Sequence, residues 1–279
     1  MTADSPYRLP EDNVAIAFSG GRTSAFMLHE ILQANGPLPE RVVVSFQNTG
    51  REMPETLDFV EACSARWGVR VVWLEYRPEA PRFEVVSHNS ASRYGQPFEA
   101  LIRRRRMLPN RVARFCTAEL KVHTQSRYLH SLGWERWACA VGIRADEPRR
   151  LGGRTAARER WTNWYPLAAA GVAKRDVARF WTRQPFDLRL PNVNGRTQLG
   201  NCDGCFLKSE AALAALARDH PERAAWWERM ERNDFGKKTG GVFDHRRPRA
   251  GLHAFVRRQG DWIFGTEGVL CQADEGECV

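Results

Sequence analysis

The chain has 279 residues, 43% of them hydrophobic, a formal net charge of +9 and seven cysteines. That length supports a sizeable core without disulfide staples, and no run approaches the roughly 18 to 20 apolar residues that cross a bilayer. The first 13 residues are polar and acidic, without the basic-then-apolar order of a signal peptide, so a cytoplasmic protein with reduced thiols and no membrane partner is expected.

In chain order, the largely apolar run Val14–Phe18 ends in Ser-Gly-Gly, and Thr23–Gln33 then carries apolar residues at helical spacing (Ala25, Met27, Leu28, Ile31, Leu32). This reads as strand, glycine turn, helix. The alternation continues with strand 41–46, helix 54–67, strand 69–76, helices near 97–107 and 121–132, and strand 137–141. Strands joined by helices imply an α/β fold, a Rossmann-like parallel sheet flanked by helices. Polar or glycine-rich loops follow Phe18, Phe46 and Val141, and ligands of open α/β sheets sit beyond such strand ends. From about Trp164 the texture becomes Pro- and Trp-rich, then helical over 209–218 and from 221 to about 233. We expect a nucleotide-binding domain over 1–165 and a smaller, mostly helical C-terminal subdomain over 166–279. Trp161, Trp164 and Trp181 read as core ahead of base stacking. The densest basic run, Arg103–Arg106, is either a solvated helix face or a polyanion contact.

Phosphates need many donors at short range. A Ser-Gly-Gly turn opening a helix supplies converging backbone N–H groups and a partial positive charge, and Ser19, Thr23 and Ser24 add hydroxyls. Replacing Gly20 or Gly21 by Val is therefore expected to block these donors while leaving the fold largely intact.

Ser19-Gly20-Gly21-Arg22-Thr23-Ser24 looks like a PP-loop. It is followed in order by Phe46-Gln47-Asn48-Thr49-Gly50 with Glu52 and Glu55, Arg114-Phe115-Cys116-Thr117 with Lys121, Gly142-Ile143-Arg144-Ala145-Asp146-Glu147, and Gly200-Asn201-Cys202-Asp203-Gly204-Cys205. Together these resemble the phosphoadenosine phosphosulfate (PAPS) reductase family of the PP-loop ATP pyrophosphatase (adenine nucleotide α-hydrolase-like) superfamily, including the PP-loop subunit of DNA phosphorothioation. The resemblance implies that ATP, or PAPS or adenosine phosphosulfate, lies on residues 19–24 beside Asn48, Thr49, Gly50 and Gly142. Lys121 and Arg144 would be its catalytic cations. Many ATP-cleaving relatives have Asp where this chain has Thr23, so magnesium would depend on Asp146, Glu147 or Glu52.

Cys202-x-x-Cys205 is a two-ligand unit whose Asp-Gly interior makes a tight turn. The resemblance adds Cys116, so that Cys116, Cys202 and Cys205 would hold a [4Fe–4S] cluster, with Cys271 as fourth ligand or an open fourth iron. Structural zinc and unligated thiols are the alternatives. Cys63 and Cys139, in apolar segments, read as core.

Two chemistries stay open, with a nucleotide- or nucleic-acid-binding protein without turnover as a third reading. One is adenylating, pyrophosphate-releasing sulfur transfer from a sulfur donor, with a nucleic acid or nucleotide as acceptor. The other is PAPS or adenosine phosphosulfate reduction through a cysteine S-sulfo intermediate released by a thioredoxin-like reductant, for which Cys278 in the C-terminal tail is the candidate nucleophile.

Overall fold

The structure, a computed structural model, describes residues 5–151, 159–193, 196–232 and 241–259. Cys271 and Cys278 lie outside the described residues. The first half alternates as expected: β1 (Val14–Ala17), α1 (Arg22–Asn35), β2 (Val42–Asn48), α2 (Pro54–Trp67), β3 (Val71–Tyr76), β4 (Phe83–Val86) and α3 (Gln96–Arg105). A π-helical stretch, Thr117–Val122, runs directly into α4 (His123–Ser131), so this helix begins earlier than the periodicity suggested. Then come β5 (Trp137–Ala140), the short α5 (Pro148–Leu151), β6 (Trp161–Trp164), the short α6 (Pro166–Ala169) and α7 (Lys174–Trp181). A two-stranded ribbon, β7 (Asn192–Val193) and β8 (Arg196–Thr197), precedes the helices α8 (Glu210–Asp219), α9 (Pro221–Arg232) and α10 (Arg249–Gln259). No helix among the described residues is long and apolar enough to cross a membrane.

The main sheet has the order β4-β3-β2-β1-β5-β6. It is parallel except at one edge, where β4 runs antiparallel to β3. This edge strand, Phe83-Glu-Val-Val, was not expected, because its burial is only partial and four residues carry little period. β6 was also missed inside the Trp-rich stretch, where Trp161 stacks on Trp137 with centroids 5.9 Å apart. Trp181 is buried and donates its indole N–H to the Arg22 carbonyl at 2.9 Å. These tryptophans are therefore packing residues.

The central strands alternate between two cores, as a period of two requires. Val14, Ile16 and Phe18 face the larger core with Ala138 and Ala140. Ala15 faces the other with Trp137, Cys139 and Val141. Cys63 and Cys139 are core residues, and burial raises the Cys139 thiol to about 12. The chain leaves β1 toward β2 on one side, while β5 pairs with β1 on the other. The carboxyl ends of β1 and β5 thus flank the point where strand order reverses, the position at which doubly wound sheets open a crevice.

Candidate functional site

At the end of β1 the chain turns through Gly20 with φ +77°, a conformation that L side chains rarely adopt. A Cβ there would lie 2.8 Å from Thr56 Cγ2 and 3.1 Å from Val60 Cγ2, both on α2. Gly20 is consequently a packing requirement as well as a turn, which corrects the expectation that it tolerates Val. Gly21, with φ −97°, caps α1 without a side-chain acceptor, and the first N–H groups of a helix lack intrahelical partners. Ser24 Oγ accepts from Ser19 N at 3.2 Å and lies 2.9 Å from Ser19 Oγ, which folds the loop on itself.

Arg144, after β5, reaches this loop. It is 5% exposed and donates from Nη1 to Thr23 Oγ1 at 3.2 Å. Asp146 accepts from its Nε at 2.9 Å, and Glu147 accepts from its backbone N–H at 3.0 Å. The structure thus brings the two separate sequence motifs together, with the guanidinium over the helix start. Arg22 points elsewhere. Its guanidinium is bonded to both Asp187 oxygens at 2.7 and 2.8 Å, to Leu188 O and to Thr197 Oγ1, so its charge clamps α1 to the segment before β8.

The loop after β2 is tied inward. Asn48 is fully buried and donates to Glu75 Oε1 at 2.6 Å and to Ser92 O at 2.8 Å, and its Oδ1 accepts from Gly50 N. Thr49 donates its backbone N–H to Glu52 and its hydroxyl to the same carboxyl at 2.8 and 2.9 Å. Its Oγ1 is also 3.3 Å from Cys202 Sγ. Gly50, φ +78°, lies so close to Gly95 that a Cβ would meet its backbone at 3.0 Å.

Thr49, Cys116, Lys121, Asn201, Cys202 and Cys205 line one cavity, closed by Phe98, Leu120, Phe206 and Trp227. The three cysteines singled out from the sequence are therefore neighbours of one space. Lys121 Nζ donates to Asn201 Oδ1 at 3.3 Å. Asn201 is 3% exposed, and its Nδ2 has no partner among the described residues. Burial pushes the Cys202 thiol well up, and Glu52 pushes it further, with Lys121 opposing. Burial likewise raises Glu52 above the ordinary carboxylate range, against Lys121 and Thr49. Among the described residues no three His, Cys, Asp or Glu side chains are gathered as a group able to hold a metal ion. The acids considered for magnesium are engaged, Glu52 with Thr49 and Asp146 and Glu147 with Arg144.

The Cys-Asp-Gly-Cys turn is fixed from below. Asp203, fully buried, accepts from Arg51 Nη2 at 2.7 Å, from Trp227 Nε1 at 2.7 Å and from Arg223 Nε. Gly204 packs against the Trp227 indole, and no Cβ fits between them. Arg249 of α10 was missed by sequence reasoning, since no motif marks it. It is 1% exposed, donates to Gly204 O at 2.9 Å and has Nε and Nη1 without hydrogen-bond partners among the described residues. Burial lowers it to about 10, with the charges of Glu231 and Cys205 opposing.

A parallel-dominated α/β sheet whose first strand ends in a glycine loop at the switch point, with a cation reaching back from β5, defines a nucleotide-binding α/β protein of the PP-loop class. Residues 13–184 match the phosphoadenosine phosphosulfate reductase domain, and the chain belongs to that family. Membership places it, at the level of the family, in nucleotide-related sulfur chemistry. The chain is 29% identical over 213 residues to the uncharacterized nin region protein ORF290 of Escherichia phage lambda, covering 73% of this chain and 69% of that protein. Among solved structures it is similar to the phosphoadenylyl-sulfate (PAPS) reductase from Candida auris in its phosphate complex, at 17% identity and a TM-score of 0.42, covering 63% of this chain and 74% of that one.

Proposed function

We propose that the chain is an adenylating sulfur-transfer enzyme, with ATP phosphates on residues 19–24 and sulfur handled at the thiol cavity. The observation that carries this reading is Thr49, which follows the β2 strand end beside β1 and also touches Cys202 at 3.3 Å. On that basis we read the nucleotide loop and the thiols as two parts of one site. In the reaction an acceptor oxygen attacks the α-phosphorus of ATP and the bond to pyrophosphate breaks. A sulfur nucleophile then displaces AMP, which leaves with that oxygen. Arg144 is placed to neutralise phosphate charge above the α1 terminus, and a charge-assisted contact of this kind is worth about 1.5–3 kcal/mol.

Cys116, Cys202 and Cys205 give this cavity the donor types of an iron–sulfur cluster, although among the described residues they are not converged as a metal-holding group. Three thiols, the Lys121 ammonium and Asn201 Nδ2, unpartnered among the described residues, line the cavity, the Arg249 charge interacts with Cys205, and an anionic thiolate-bound group would answer those charges. Cys116, Cys202 and Cys205 would hold it, and when bound it would supply a site for reduced sulfur. Structural zinc on the same thiols is the alternative, and metal analysis of anaerobic protein separates the two. Reduction of PAPS would need a reactive thiol, and its candidate, Cys278, lies outside the described residues.

The test offers ATP, together with an oligonucleotide acceptor and sulfide, and PAPS separately to anaerobically purified protein, with thioredoxin and its reductant present, and identifies the products. Pyrophosphate and AMP from ATP, without sulfite from PAPS, are expected. Thioredoxin-dependent sulfite release would replace this reading with the reductase one.

A further inference from the structure

The Arg103–Arg106 run belongs to no part of the nucleotide loop or the thiol cavity. It ends α3, a helix about 15 Å long by its ten residues. Arg103 is paired with Glu99 at 2.7 Å, and Arg229 of α9 approaches the same carboxylate at 3.7 Å. Arg105 and Arg127 share Glu119, at 2.6 and 2.9 Å. Among the described residues Arg104 donates to the Pro78 carbonyl and pairs with no carboxylate. Arg106 is exposed, held at φ +50°, with no partner among the described residues. Among the described residues Arg104 and Arg106 have no carboxylate partner, while Glu99 and Glu119 are each shared by two arginines.

The two ends of this strip adjoin the proposed site. At one end Tyr94, 76% exposed, precedes Gly95, whose backbone lies against Gly50 and the Trp226 indole. At the other, Arg105 lies over the Phe115 ring at 5.7 Å, and Phe115 precedes Cys116 of the thiol cavity. A polyanion lying along α3 would therefore pass from the β2 loop to the thiols. An exposed aromatic ring at one end of a cationic strip is the combination that holds single-stranded nucleic acid, phosphates on arginines and a base on the ring.

We propose that the α3 strip is a docking surface for single-stranded nucleic acid, held by Arg104 and Arg106 with Tyr94 as a stacking platform. As the acceptor's track this rests on the sulfur-transfer reading, but the binding itself does not require turnover. Arg104 and Arg106 answer about two phosphates, so this pair should contribute about −1.4 to the slope of the logarithm of affinity against the logarithm of salt.

The experiment titrates a fluorescent oligothymidylate, single-stranded and as duplex with oligoadenylate, into the full chain at several salt concentrations. ATP binding is measured on the same preparations. The wild type should prefer the single strand. Arg104→Gln with Arg106→Gln, which breaks no carboxylate pair, should weaken it about tenfold and move the slope toward zero by about 1.4, with ATP affinity unchanged. Tyr94→Ala should weaken the single strand and spare the duplex. Absence of binding by the wild type, binding undiminished in the arginine variant, or equal affinity for duplex would overturn the proposal. Absence of ATP binding with oligonucleotide binding intact would instead count against the sulfur-transfer reading alone.

Discussion

Glu52 shows how the site weighs burial against hydrogen bonding. Its carboxyl receives the Thr49 backbone N–H and hydroxyl, yet burial outweighs these and raises it above the ordinary 4.5. The native chain then keeps a proton that the unfolded chain has released, so this group's contribution to stability falls as pH rises from about 4.5 through the raised native value. Glu52→Gln removes that titration and should flatten the decline, as denaturant unfolding across this window would show. An unchanged slope would mean that Glu52 ionises normally in the fold. Gly204 is a second residue with a sharp expectation. A methyl group there displaces Trp227, whose indole N–H serves Asp203, so Gly204→Ala should cost about 1–3 kcal/mol, read as a lower melting temperature. Of the thiols, Cys116, Cys202 and Cys205 should each abolish visible absorbance and bound iron when changed to Ala. Cys63→Ala should not, because Cys63 belongs to the core. Stoichiometric zinc without iron in anaerobic protein would count against the cluster.

At the scale of elements, the glycine loop and α2 are one unit. Gly20→Ala drives its Cβ toward Thr56 and Val60, and should destabilise the fold by about 1–3 kcal/mol. Gly21→Val, at a φ that any residue adopts, should lose nucleotide binding with a smaller thermal shift. Comparable melting losses in both variants would refute this division. The strand–turn–helix order around this loop was legible because a short apolar run ends at two glycines and gives way to apolar residues at helical spacing. β4 and β6 were not legible, since each is four residues long and only partly buried. Arg22 illustrates the limit for side chains. The loop motif shows where its backbone lies, but the direction of its guanidinium depends on Asp187, 165 residues away.

Across the whole molecule, the three cysteines were found in one cavity because they fall in ordered motifs that the fold brings together. The buried polar support beneath them was not foreseeable in the same way. Asp203 was read as a turn residue, and only the tertiary structure shows Arg51, Arg223 and Trp227 converging on it. Arg249 had no local signal at all, because a buried cation is defined by what surrounds it. The central claim is that the nucleotide loop and the thiol cavity are one site meeting at Thr49. Its most direct test is the alkylation rate of Cys116 and Cys202, followed by mass spectrometry on reduced, chelator-treated protein with and without saturating ATP. The account predicts that ATP slows both several-fold in the wild type and has no effect in Gly21→Val. Equal rates with and without ATP, while calorimetry shows ATP bound, would contradict it.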